Sequence, residues 1–287
     1  MRHTRTLAAT TAVLAVAGLA ACGTKSASTA TGTASAGSVQ LATVADAMAQ
    51  STKATSQYTS VKVKMAEHIQ AQGQDISTTG SGALSWKPIA MDMTMSMPAL
   101  AAQVGGDGSI RMMMSGTTMY MNMGDVAAAK NDGKHWMKID LTAMGASGQA
   151  LADQMNNSAS NDPSTQLKLF TSSPDIQRVG QETVDGVQTT HYSGTVDLTK
   201  LAAAQDPALK AALAQSTKLG LTTMNVDLWV NDQNLPIRIH ESTPPTATTQ
   251  LDLTGDYSDY STTQVTVTPP PDSDTTDLST ALQGATN

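Results

Sequence analysis

The chain of 287 residues carries 17 basic and 24 acidic side chains, a formal charge of −7, and a single cysteine. This balance argues against nucleic acid or anionic headgroups as partners, since both demand a basic patch, and one cysteine cannot form an internal disulfide. Aromatic residues make up 3% of the sequence and Phe170 is the only phenylalanine, so part of the apolar role falls to 17 methionines, twelve of them between Met91 and Met144.

Arg2, His3 and Arg5 give the N-terminus a positive start, and Leu7 to Gly18 form an apolar run. That run is about a dozen residues long, the length of a signal h-region and short of the roughly 20 needed to span a bilayer. It ends in Leu19-Ala20-Ala21-Cys22, which resembles the bacterial lipobox. The resemblance implies cleavage before Cys22, acylation of that residue, and a protein anchored at the extracytoplasmic face of the plasma membrane. Each buried methylene contributes about 0.8 kcal/mol, so several acyl chains hold a protein stably. Removing residues 1–21 takes away Arg2 and Arg5, leaving 15 basic against 24 acidic residues, a charge near −9.

In residues 22–40 the cysteine is followed by Gly23 to Gln40, built from Ser, Thr, Ala and Gly with one lysine and one valine, which reads as a flexible tether. Leu41 to Ser56 places Leu41, Val44, Ala45, Met48, Ala49 and Thr52 at helical spacing. From Tyr58 the period changes to two: Val61, Val63, Met65 and Ile69 alternate with Lys62, Lys64, His68 and Gln70. Gln72-Gly73-Gln74-Asp75 turns into a strand from Ile76 to Trp86. Met91, Met93, Met95 and Met97 alternate with Asp92, Thr94 and Ser96. Asp107-Gly108 opens a strand through Ile110, Met112 and Met114, and Ser115-Gly116 turns it into Met119, Met121 and Met123. His135 to Asp140 is a short strand around Trp136.

Helices are expected over Leu141 to Asn156, over Pro163 to Ser172 and over the Ala- and Leu-rich Lys200 to Lys218. Strands are expected at Ile176 to Val184 and Val187 to Leu198, joined by Asp185-Gly186, the strongest hairpin dipeptide in the chain. Four more follow: Leu221 to Val230, Leu235 to Glu241, Thr246 to Asp256 and Thr263 to Thr268. Pro269-Pro270-Pro271 stops the last, and residues 272–287 read as a disordered tail. Hairpin-linked strands with helices inserted among them imply an α+β domain over residues 41–271, a strongly curved antiparallel sheet with helices on its concave face.

Val179-Gly180-Gln181-Glu182-Thr183-Val184-Asp185-Gly186-Val187-Gln188-Thr189-Thr190-His191-Tyr192 is similar to a segment of actinobacterial lipoproteins of the LppX/LprG type. So are Val226-Asp227-Leu228-Trp229-Val230-Asn231-Asp232 with Leu235-Pro236-Ile237-Arg238, and the closing Thr268-Pro269-Pro270. The resemblance implies a LolA-like half-barrel whose concave side holds acyl chains, with a lipid or lipoglycan as partner and an envelope transporter as a conceivable second one. No catalytic residue or cofactor comes with it.

On a strand, residues i and i+2 share a face about 6.5–7 Å apart, so Met91, Met93, Met95 and Met97 point one way, and with Met112, Met114, Met119 and Met121 they are the expected ligand-lining set. Three readings of this set stand side by side. Methionine is unbranched and adapts to varied acyl chains; it also simply packs a core in a phenylalanine-poor envelope protein of structural or sensory role; and its thioether selects soft metals such as Cu(I). His68, His135, His191 and His240 show no metal-ligand spacing, and neither GxSxG nor a phosphate-binding loop is present, so the chain reads as a binding protein and not an enzyme. Arg238, His240 and Glu241 with Asp252, Asp256 and Asp259 form either a headgroup-contacting rim or a solvated face. Trp86, Trp136 and Trp229 are expected at the ends or inside of the sheet.

Overall fold

The computed structural model describes residues 36–71, 73–86, 88–101, 105–106, 108–145, 148–149, 152, 167, 170, 173, 175–202 and 221–279. Helix α1 runs from Ala36 to Thr55. It therefore begins within the segment expected as tether, since Ala36 to Gln40 contains no proline and includes good helix formers. The strands are β1 (Ser60–Ala71), β2 (Gln74–Trp86), β3 (Ile89–Ser96), β4 (Ser109–Ser115), β5 (Thr118–Asn122), β6 (Trp136–Asp140), β7 (Gln177–Val184), β8 (Val187–Asp197), β9 (Thr223–Asn231), β10 (Pro236–Ser242), β11 (Gln250–Ser261) and β12 (Thr275–Asp277). Two short helices, α2 (Gly124–Ala128) and α3 (Leu198–Ala202), complete the described elements used below. The helix expected at 141–156 begins as a 3-10 turn, Leu141–Met144, and most of it lies outside the described residues, as do most of 163–172 and of 203–218.

All twelve strands join one open, curved sheet in the order β12-β6-β5-β4-β3-β2-β1-β11-β10-β9-β8-β7. Every pairing is antiparallel except β12 with β6. Two hairpin meanders, β1 to β6 and β7 to β11, meet along the β1–β11 seam. Asp185 and Gly186 both take positive φ, 49° and 83°, as the two-residue turn between β7 and β8 requires. Register shifts interrupt β1–β11, β9–β10 and β7–β8, and such bulges add local twist.

Pairing carries one face across the whole sheet. On it lie Val61 and Val63 of β1, Leu84 of β2, Met91 and Met93 of β3, Tyr257 of β11, Ile239 of β10, Leu228 and Val226 of β9, and Tyr192 of β8. Val44 and Met48 of α1 join Tyr192, Val196, Met224, Val226, Leu228, Val230 and Ile239 in the largest buried cluster, together with Leu167, Phe170 and Ile176. This side is called the helix face.

The opposite side is crossed by residues 262–271. This segment corrects the expectation of a strand at Thr263 to Thr268. Both edges of β11 are already filled, by β1 and β10, so the chain that follows has no free edge beside it and lies across the sheet instead. Ser60 Oγ donates to the Thr263 carbonyl at 2.6 Å, the Val265 amide donates to Ser85 Oγ at 2.7 Å, and Val267 packs on Met113, Tyr120 and Trp136. The strap ends in β12, so residues 275–277 are not the loose tail expected. His135 Nδ1 lies 2.7 Å from Asp274 Oδ1, Lys138 donates to Asp277 at 2.9 Å, and the Asp140 amide donates to Ser279 Oγ.

Candidate functional site

The helix face of β2 to β6 is where the methionines gather. Met91 pairs with Met114 and Met114 with Met119; Met93 pairs with Met112, Met112 with Met121, and Met121 with Met137. Two rows of thioether side chains thus run across neighbouring strands. Met95 pairs with Ile110 in a third row. Met97 follows the last residue of β3, and its amide donates to the Gly108 carbonyl at 3.1 Å, which ends the row at the strand's end. Seven of the eight residues singled out from sequence therefore share one face of β3, β4 and β5. Met137 and Met65 belong to the same face and stood outside that set: Met65 already shared its alternation with Val61, Val63 and Ile69, whereas Met137 stands between Trp136 and Lys138 and carries no such pattern.

Two glycines make this packing possible. Gly80 and Gly82 occupy the helix face of β2, where a side chain would otherwise stand. A Cβ at Gly80 would lie 3.0 Å from Met65 Cγ and 3.5 Å from Met95 Cγ. One at Gly82 would lie 2.1 Å from the Asp92 carbonyl oxygen and 2.6 Å from Met93 Cα. The neighbouring methionines lie over backbone here, and β3 folds closely onto β2.

Burial differs along this wall. Met93 and Met114 are buried, at 6% and 3% exposure, whereas Met91, Met95, Met112, Met119, Met121 and Met137 are half-buried. Toward one end two acids interrupt the apolar face, because Glu67 and Glu241 both pair with Leu253. Burial pushes the Glu241 carboxyl above its ordinary range, since a charge is costly in an apolar setting.

Apart from the Met113, Tyr120 and Trp136 cluster under Val267, the strap face is polar. Asp92 receives a two-pronged pair of hydrogen bonds from Arg111, at 2.9 and 2.7 Å, and Thr94 is exposed. The Arg111 guanidinium also sits 5.9 Å from the Trp136 ring centroid. Trp86 packs with Val61 and Val63, as expected of an interior tryptophan. Trp229 does not: it stands on the strap face, stacked on His191 with centroids 4.4 Å apart, because its register pairs it with Arg238 and His191 and not with the apolar row.

Around that pair runs a chain of acids and imidazoles. Glu182 accepts from Trp229 Nε1 at 2.8 Å and faces His191 Nδ1 at 3.0 Å; Asp227 faces His191 Nε2 at 2.7 Å and His240 Nδ1 at 3.5 Å; Asp252 faces His240 Nε2 at 3.3 Å. An imidazolium donates from both nitrogens and satisfies two carboxylates, which a neutral ring cannot. The bonds from Trp229 and then His191 hold the Glu182 carboxyl below its ordinary range. Burial pushes Asp227 up, but bonds from Ser193 and His191 outweigh it and hold that carboxyl low. Arg238 bridges Asp256 and Asp185. The residues expected as a rim thus divide: Arg238, His240, Asp252 and Asp256 lie together on the strap face, and Glu241 faces the other way.

Three cavities formed by described residues, of about 420, 400 and 360 Å³, include strap-face residues, and Lys64 lines all three. Among the described residues no group of three or more His, Cys, Asp or Glu could hold a metal ion. Cys22 lies outside the described residues.

No family profile matches the sequence. It is 38% identical over 230 residues to an uncharacterized 31.2 kDa protein of Streptomyces griseus encoded between rplA and rplJ, covering 75% of this chain and 74% of that one. It is 32% identical over 252 residues to a candidate lipoprotein of Streptomyces coelicolor, covering 83% and 76%. Among solved structures, the Mycobacterium tuberculosis lipoprotein LppX matches at a TM-score of 0.48 and 14% identity, over 76% of this chain and 95% of that one. LprF of Mycobacterium bovis matches at 0.46 and 14%, over 80% and 97%.

Proposed function

We propose that this chain, which belongs to the same family as the Streptomyces griseus and Streptomyces coelicolor proteins, is a lipid-anchored envelope protein that binds and carries a molecule with long acyl chains. Cys22 is the acylated residue, and the anchor places the domain at the extracytoplasmic face of the plasma membrane. The ligand lies on the helix face, which is the concave side of a half-barrel. The observation that supports this reading is the pair of registered methionine rows across β3 to β6, half-buried except at Met93 and Met114, beside a half of the same face that is closed by α1. Met91, Met93, Met95, Met112, Met114, Met119 and Met121 form the wall, with Met97 at its end.

The physical basis is burial of apolar area, worth about 25 cal/mol per Å², against side chains soft enough to follow different chains. Glu67 and Glu241 interrupt the face on one side, so the polar end of the ligand is expected toward them. Acyl chains need no catalyst and few polar contacts for orientation, which suits a carrier more than an enzyme.

The test uses the chain with Cys22→Ser, purified from its own host and weighed by native mass spectrometry. The expected result is a bound lipid mass, lost in Met121→Trp while the melting temperature stays within a few degrees of the parent. A wild-type wall that binds no lipid, together with a Met121→Trp variant that melts much earlier, would leave a filled-core structural lipoprotein instead.

A further inference from the structure

Cross-strand register puts four thioethers in line. Met93, Met112, Met121 and Met137 are successive partners on β3, β4, β5 and β6. Adjacent strands are spaced about 4.8 Å apart. A metal–sulfur bond near 2.3 Å, as for thiolate on zinc, sets three sulfurs around one ion about 4 Å from each other. Methionine arms with three rotatable bonds close that difference. Neighbouring donors are thus spaced nearly as such a site needs, while the outer two of three successive strands, about 9.6 Å apart at the backbone, reach the ion by leaning toward the middle one.

Access and selectivity point the same way. Met112, Met121 and Met137 are each half-buried, so an ion can reach them, and Met93 is the enclosed end of the row. In the flanking rows on this face stand Met114, Met119, Ile139 and Ile110, none with an oxygen or nitrogen in its side chain. Hard and borderline ions, which want carboxylate or imidazole, find neither there. Thioethers select soft ions.

The geometry points to a binding site for a soft monovalent cation, Cu(I) or Ag(I), held by Met112, Met121 and Met137. The inference does not rest on acyl-chain binding. A wall of leucines would bury an acyl chain as well, whereas only sulfur holds the ion, and this difference separates the two by experiment.

The full chain with Cys22→Ser, which removes the sole thiol, is titrated anaerobically with Cu(I) against a chromogenic chelator. One equivalent should be withdrawn from the chelator. The triple variant Met112→Leu, Met121→Leu, Met137→Leu, which conserves apolar volume, should weaken uptake by about 100-fold or more. Met48→Leu and Met224→Leu, in the closed half of the face, should leave it unchanged. X-ray absorption on the loaded parent guards against a triple variant that fails to fold: the expected coordination shell is sulfur alone. Nitrogen or oxygen in that shell, full uptake by a folded triple variant, or no Cu(I) taken by the parent would each overturn the proposal. Lipid uptake measured on the same triple variant should persist, and its loss there would count against the acyl-chain reading, not against this site.

Discussion

The helix face has two halves that obey one register rule and differ in chemistry. In β8 to β10 the inward positions are Tyr192, Val196, Val226, Leu228, Val230 and Ile239, and α1 lays Val44 and Met48 on them until Leu228 has no exposed surface. In β3 to β6 the same positions are mostly methionines, with Ile89, Ile110 and Ile139 among them, and most of the methionines remain half-buried. Branched side chains have few rotamers and make a closed, specific core. Unbranched thioethers keep their freedom and make a surface that can be re-covered. A single sheet can therefore hold a rigid part and an adaptable part without any change of backbone architecture.

The sharpest way to break this contrast is to cut both halves equally. Leu228→Ala should lose about 2–5 kcal/mol, the transfer cost plus a cavity, while Met121→Ala should lose under about 2 kcal/mol because part of its surface already meets solvent. Denaturant titration of both variants decides it, and equal losses would mean the methionine half is as closed as the other.

Gly82→Ala strikes the methionine half through its backbone. The new Cβ would meet the Asp92 carbonyl and Met93 Cα, neither of which is a flexible tip, so about 1–3 kcal/mol should be lost. An unchanged melting curve would mean that β3 does not close on β2 as described.

Gly186→Val probes the other meander at its turn. No atom lies within 4 Å of the added Cβ, so the whole cost comes from φ of 83° and should be about 1–2 kcal/mol. Stability equal to the parent would argue for a different turn between β7 and β8.

The smallest effect belongs to the clamp that holds β12 on β6. Ser279 and then Lys138 hold the Asp277 carboxyl down to about 2, from an ordinary 3.8, and the His135 amide and ring hold Asp274 low. Depressed carboxylates contribute stability above their unfolded value and lose it as pH falls through the folded one, so amide protection in β12 should decay between about pH 4 and 2. Asp274 in turn raises His135 above its ordinary 6.5. That contribution is complete below the unfolded value and disappears as pH rises through the raised one. Protection that is flat on both limbs would remove the clamp.

Much of this was legible in the residues. Met91, Met93 and Met95 could be assigned to one face of their strand, as could Met112 with Met114 and Met119 with Met121, because a period of two survives any sheet geometry, and Asp185-Gly186 specifies its turn locally. Thr263 to Thr268 misled, since its alternation is a strand pattern, but whether an edge is vacant beside β11 is a property of topology and not of six residues. Thr275–Asp277 was too short and too polar to be noticed. The acid–imidazole chain from Glu182 to Asp252 draws on five strands, and only their pairing brings it together. Glycines 80 and 82 carried a signal at i and i+2 that reads as meaningful only beside Met65, Met93 and Met95.

The seam between the two meanders also dictates an order of events. Its strands, β1 and β11, begin at Ser60 and Gln250, so each meander can form from neighbours in sequence while their union waits for nearly the last stretch of polypeptide. Closing so long a loop is entropically costly and kinetically late. A nascent chain halted before Gln250 would hold two separate sheets, each with a bare inner edge open to mispairing. Arrival of β11 joins them, and the strap behind it then crosses the seam and fastens the far edge, so the molecule is completed from its C-terminus.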